Sequence, residues 1–77
     1  MKKNARIATV NVIEMLEGFP EQVISFTDND DGNKSAEETF VKMAKENGMK
    51  NDDKDSCLED GYYVCGEDYG VFIIHSS

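Results

Sequence analysis

Near the middle of the chain the run Asp30-Asp31-Gly32-Asn33-Lys34-Ser35-Ala36-Glu37-Glu38 hands an acidic turn over to a helix, between two β-rich stretches, 6–27 and 61–75. Strands, then a helix, then strands restrict the chain to folds in which a helical layer packs on a sheet. Ser35 followed three residues later by Glu38 matches a capping box, in which the hydroxyl takes one orphan amide at the helix start and the carboxylate takes another. Glu37 and Glu38 also suit the positive end of the helix dipole. Ala36, Phe40, Met43 and Ala44 recur on one face, Lys42, Lys45 and Glu46 fall largely off it, and Gly48 offers a left-handed cap. The pattern predicts a helix over 35–47.

Residues 6–13 set Ala8, Val10 and Val12 against Thr9 and Asn11, the alternation of a half-buried strand. A helical stripe through Ala8, Val12, Met15, Leu16 and Phe19 competes with it, and the β-branched content favours the strand. Residues 21–27 repeat the alternation, with Ile24 and Phe26 on one face and Val23, Ser25 and Thr27 on the other. The bend Glu17-Gly18-Phe19-Pro20 joins the two as an antiparallel hairpin, and the turn residues from Asp28 to Asn33 end it. A second hairpin follows from two apolar runs, 61–65 and 71–75, flanking Gly66-Glu67-Asp68-Tyr69-Gly70. Residues 49–60 read as an acidic connection. The expectation is an α+β fold: a two-layer ββαββ arrangement, with a four-stranded, mainly antiparallel sheet and one helix on one face. A chain of 77 residues supports one core, so residues 1–77 are expected to form a single small domain.

Sixteen acids against eight bases give a net charge of −8, which disfavours partners that need a basic surface. Nucleic acid and anionic membranes would repel such a chain, so neither is an expected direct partner. The charge is uneven: Lys2, Lys3 and Arg6 lie near the start, whereas Asp52, Asp53, Asp55, Glu59, Asp60, Glu67 and Asp68 face only Lys54. No apolar run approaches the roughly 20 residues of a membrane span. Nor does an apolar stretch follow the first lysines as in a signal peptide, so a cytoplasmic location is expected. In that compartment Cys57 and Cys65 stay reduced.

Few residues suggest chemistry. Aligned on Gly32, the segment from Thr27 to Glu38 resembles an EF-hand loop at several liganding positions, but Thr27 stands where an aspartate is needed and Lys34 where an apolar residue belongs. An ion- or ligand-binding loop at Asp28 to Glu38 is therefore the alternative reading rather than the first. Cys65 and His75 fall on the order of 17 Å apart along the expected hairpin, too far for a nucleophile and its base. The single His75 and the spacing of Cys57 and Cys65 make no zinc knuckle, and no phosphate-cradling loop occurs. No catalytic residue, cofactor or metal site is assigned, and the chain reads as non-enzymatic.

The second hairpin carries the more unusual signal. With Glu67 and Asp68 as the central turn residues, Tyr63, Cys65, Phe72 and Ile74 share one face and Tyr62, Val64, Val71 and Ile73 the other, and both faces are apolar. One helix covers only one of them, whereas an antiparallel sheet normally shows water a polar face. The face bearing Tyr62, Val64, Val71 and Ile73 is thus either covered by the chain's own loops or a candidate for contact with a protein partner or a second copy. The solvated acids Asp52, Asp53, Asp55, Glu59 and Asp60 are a second candidate surface, suited to a basic site on a partner. The function expected is a small acidic protein-interaction module. An inhibitor or nucleic-acid mimic occupying such a basic site is the sharpest form of that reading.

Overall fold

The computed structural model describes residues 8–76. Lys2, Lys3 and Arg6, and the first residues of the strand expected from position 6, lie outside the described residues. Four strands and two helices follow in the order β1 Thr9–Leu16, β2 Phe19–Thr27, α1 Asp30–Glu46, α2 Lys54–Asp60, β3 Tyr62–Cys65 and β4 Tyr69–Ser76, with a 3-10 turn at Asn51–Asp53 before α2. The sheet is open, with strand order β2-β1-β4-β3 and every neighbouring pair antiparallel. No helix among the described residues is long and apolar enough to cross a membrane.

The α+β class and the antiparallel sheet agree with the sequence reading, but the single-helix ββαββ arrangement does not. Residues 54–60 form α2 instead of a bare connection. Only Cys57 and Leu58 of that helix pack on the core, so seven residues yield too little apolar period to register as a helix. Its local signal is Gly61, which takes φ +87° after the last turn and donates its amide to the carbonyl of Cys57.

Helix α1 starts five residues before the expected cap. Asn29 is the N-cap, its Oδ1 accepting the amide of Gly32 at 2.7 Å, so Ser35 lies inside the helix and forms no capping box. The Asp28 carboxylate accepts from the Asn33 amide at 2.7 Å and ties the preceding turn to the same end. Gly32 owes its place to crowding: a Cβ there would collide with the carbonyl oxygen of Thr27, the last residue of β2. At the other end the expected Gly48 cap is present, with φ +108°. The amide of Gly48 bonds Lys45 and that of Met49 bonds Ala44, which closes the helix in the Schellman manner.

The inner faces agree with the sequence pattern. Ala36, Phe40, Met43 and Ala44 of α1 pack against Val10 and Val12 of β1, with Val71 of β4 and Met49 completing the buried cluster. Ile24 and Phe26 of β2 pack on its margin. The β1–β2 hairpin closes on Glu17 and Gly18, both at positive φ (+54° and +84°), the combination that favours a tight two-residue turn. Pro20 falls inside the edge strand β2, next to a register irregularity between Glu14 and Met15. An edge strand tolerates a residue without an N–H.

Candidate functional site

The register of the second hairpin decides which side chains a partner can reach. Cys65 pairs with Tyr69, so the turn has three residues, Gly66, Glu67 and Asp68, with Gly66 at φ +65°. Tyr63 is then opposite Val71 and Tyr62 opposite Phe72. This differs by one residue from the expected pairing, and a one-residue slip moves every side chain of a strand to the other face. Val71 and Ile73 therefore belong to the helix side: Val71 is fully buried in the core and Ile73 packs on its edge. Of the four apolar partner candidates only Tyr62 and Val64 remain outside, and they share the outer face with Phe72 and Ile74 instead.

The pairing of β1 with both neighbours extends this outer face across the sheet. Ile13 is flanked by Val23 on β2 and Phe72 on β4, and Met15 lies beside Gly70. Farther along, Asn11 is flanked by Ser25 and Ile74, and Thr9 by Thr27 and Ser76. None of the residues in these paired rows is charged, although 24 of the 77 residues, 16 acids plus 8 bases, carry charge. Glu21 has no partner in the register and stands at the irregularity of the edge strand, outside the rows. Nor do the described residues cover the face, since Val23, Tyr62, Val64 and Ile74 stay 46–55% exposed. The apolar end is contoured. A Cβ on Gly70 would come within 3.1 Å of the Phe72 ring, so the glycine lets that ring lean over the strand beside Val64. Tyr62 packs against the same ring, with centroids 6.3 Å apart.

The opposite end of the face is polar and satisfies its own hydrogen bonds. Asn11 donates to Ser76 Oγ at 3.0 Å and to the Ile74 carbonyl at 3.3 Å, and accepts from Ser25 Oγ at 2.6 Å. Thr9 and Ser76 hydroxyls lie 3.3 Å apart. Buried polar groups are costly chiefly when unpaired, so this end could be covered at little cost.

The remaining candidates are scattered. Asp52, Asp53, Asp55, Glu59 and Asp60 are all exposed, on the 3-10 turn and α2 rather than on the sheet. Burial pushes the Cys57 thiol above its ordinary value, and Asp53 and Asp60 push it further, the reverse of what a reactive cysteine needs. His75 Nδ1 lies 3.2 Å from Asp28 Oδ2, which pairs the half-exposed imidazole with a carboxylate at the turn before α1. The Asn33 amide, and secondarily His75, hold the Asp28 carboxyl below its ordinary value. Cys65 pairs with Tyr69, six residues before His75, so thiol and imidazole stand about 20 Å apart along the strand. The Asp28 to Glu38 segment is not a loop: from Asp30 it is helix, and its carboxylates cannot wrap a cation as an EF-hand does. Among the described residues no group of three or more His, Cys, Asp or Glu is arranged to hold a metal ion.

One polar pair on the inner side escaped the sequence reading. Glu14 occupies the helix side of the central strand β1, where Val10 and Val12 are core, and accepts a hydrogen bond from the Tyr69 hydroxyl at 2.7 Å. Burial, reinforced by that carboxylate, raises the Tyr69 phenol well above its ordinary value and keeps it a donor. Its sequence signal was the break in the β1 alternation at Glu14, a charge where the inward period calls for an apolar residue.

No protein-family model matches the chain, and no significant match was found among curated proteins or solved structures.

Proposed function

We propose that this chain is a small, acidic, non-enzymatic protein-interaction module that engages its partner through the outer face of its sheet. The supporting observation is the combination of exposed Val23, Tyr62, Val64 and Ile74 with an absence of charge across the paired rows of that face. A contiguous apolar patch of this kind on an otherwise charged chain marks an interaction surface. The fitting partner is a protein that presents an uncharged, apolar surface of its own. Net charge of −8 elsewhere keeps the free chain soluble and confines close approach to this one face.

The test compares immobilised wild type with the variants Val64→Lys and Ile74→Lys, each shown by circular dichroism to be folded. A protein partner should be retained by wild type and released by both variants, while Lys45→Glu on the outer side of α1 retains it. Should neither self-association nor any captured partner respond to charge on this face, the reading fails.

A further inference from the structure

We infer that the partner is a second copy of this chain, packed face to face with the first about a two-fold axis that runs along the strands between β1 and β4. The inference rests on the reading of the outer face as an interaction surface and adds the occupant and the geometry. Three observations carry it: self-compatibility of charge, the match of rows across the axis, and the size of the face.

Two copies each bearing −8 repel one another wherever their acids meet. Within its paired rows the outer face opposes no like charges when it meets its own copy, and the acids nearest it, Glu67 and Asp68, stand at the rim of its apolar end beside Met15, Val64, Gly70 and Phe72. Its polar end already satisfies the Asn11 amide internally, so a second sheet closing over it strands none of that amide's hydrogen bonds.

The face is graded, apolar toward the hairpin turns and polar toward Thr9 and Ser76, and this selects the axis. Rotation about a line across the strands would lay the apolar end on the polar end. Rotation about a line along the strands lays apolar on apolar and exchanges the sheet edges. The row Tyr62, Phe72, Ile13, Val23, read across the sheet from β3 to β2, then maps onto its own reverse. Phe72 meets Ile13 of the partner subunit, and Tyr62 meets Val23 of the partner subunit. Two sheets stacked in this way form a sandwich with about 10 Å between layers, the ordinary spacing of packed sheets.

Strands of eight, nine, four and eight residues, at about 3.3 Å per residue and set about 4.8 Å apart, give a face of roughly 450 Å² in plan. Two such faces bury on the order of 900 Å², the size of weak, transient associations rather than of stable complexes. The dimer is therefore reversible rather than obligate, and added salt tightens it by screening the acidic bodies.

Sedimentation equilibrium on the full chain, from about 10 μM to 1 mM, is expected to show the mass rising from 8.6 kDa toward twice that value. The rise should shift to lower concentration in high salt. Val23→Glu places a carboxylate against the aromatic ring of Tyr62, and Tyr62→Lys places an ammonium against an aliphatic side chain; each alone should weaken association at least tenfold with an unchanged circular dichroism spectrum. Mixed one to one, the two variants should recover association as a heterodimer, because one contact then sets the introduced carboxylate against the introduced ammonium and the other stays native. Val23 and Tyr62 lie on opposite edges of one sheet, about 14 Å apart across three strand spacings, so pairing within a chain cannot produce that recovery. A variant-free measurement uses wild type mixed from two isotope labellings, in which Tyr62 ring to Val23 methyl contacts must be intermolecular.

A wild type that remains at 8.6 kDa through 1 mM overturns the second copy. It leaves the outer face to a different protein, whose release by Val64→Lys is measured separately. A dimer that ignores both single variants, or that the mixture fails to restore, overturns this geometry.

Discussion

Replacing Gly32 by alanine is expected to destabilise the protein, against the usual direction for a glycine in a helix. Alanine is favoured over glycine in a helix interior by about 1 kcal/mol, and Gly32 has no positive φ that would penalise a side chain. Helix propensity alone therefore predicts a more stable variant. The new Cβ, however, would meet the backbone oxygen of Thr27, which cannot turn aside as the end of a flexible side chain can. To seat it, the first turn of α1 must draw away from the end of β2. That movement strains the Asn29 cap on the Gly32 amide and the bonds that Asn33 makes to Asp28 and to the Asn29 carbonyl. Losing a cap costs about 1 kcal/mol and each further hydrogen bond about 1 kcal/mol, so roughly 3 kcal/mol opposes the propensity gain. The net is a loss of about 2 kcal/mol, or a fall in Tm of roughly 8–16 °C for a domain of this size. Thermal and urea unfolding followed by circular dichroism measure it. A double variant with Asn29→Ala should cost less than the two single changes together, because both act on the same cap. An unchanged or raised Tm for Gly32→Ala would refute the reasoning and would point to a helix that starts nearer Ser35.

Asn29→Ala should cost about 1 kcal/mol in urea unfolding, whereas Ser35→Ala should be close to neutral, since Ser35 offers only its backbone carbonyl to Thr39. Val71→Lys should prevent folding, as seen by loss of amide dispersion, and Phe40→Ala should cost about 3–5 kcal/mol, because both side chains are fully buried in the same cluster. The Asp28 carboxyl titrates lower in the folded chain than its ordinary 3.8, so its contribution to stability is present at neutral pH and disappears as pH falls through that lower folded value. NMR titration should show Asn33→Ala raising the Asp28 pKa more than His75→Ala does, because the Asn33 bond is the larger cause. Tyr69→Phe leaves Glu14 without its donor in a half-buried position and should destabilise by about 1–2 kcal/mol in urea unfolding.

The contrast between the two hairpins shows what kind of information a sequence holds. In β1 and β2 the inward residues Val10, Val12, Ile24 and Phe26 were legible, since each strand sets polar residues against apolar ones. In β4 every position from Val71 to Ile74 is apolar, so the pattern cannot say which half faces in, and a turn one residue longer than expected reversed the assignment. The start of α1 was misplaced for a related reason. Ser35 and Glu38 satisfy a capping pattern but are equally at home inside a helix, and Gly32 reads as a turn residue until Thr27 is seen beside it.

What the sequence by itself determined is local: the buried stripe Ala36, Phe40, Met43 and Ala44, the inner face of the first hairpin, and the presence of apolar residues on both sides of the second. These follow from the fixed periods of helix and strand, which operate within a few residues. Only the tertiary structure decided that β1 pairs antiparallel with β4, joining Thr9 to Ser76 across nearly the whole chain, and that α2 packs Cys57 and Leu58 onto the core. It alone placed Val71 inside and Tyr62, Val64, Phe72 and Ile74 outside, on rows that carry no charged residue. Strand register depends on how a turn closes and on pairing between distant segments, and neither is encoded in the period of a single strand.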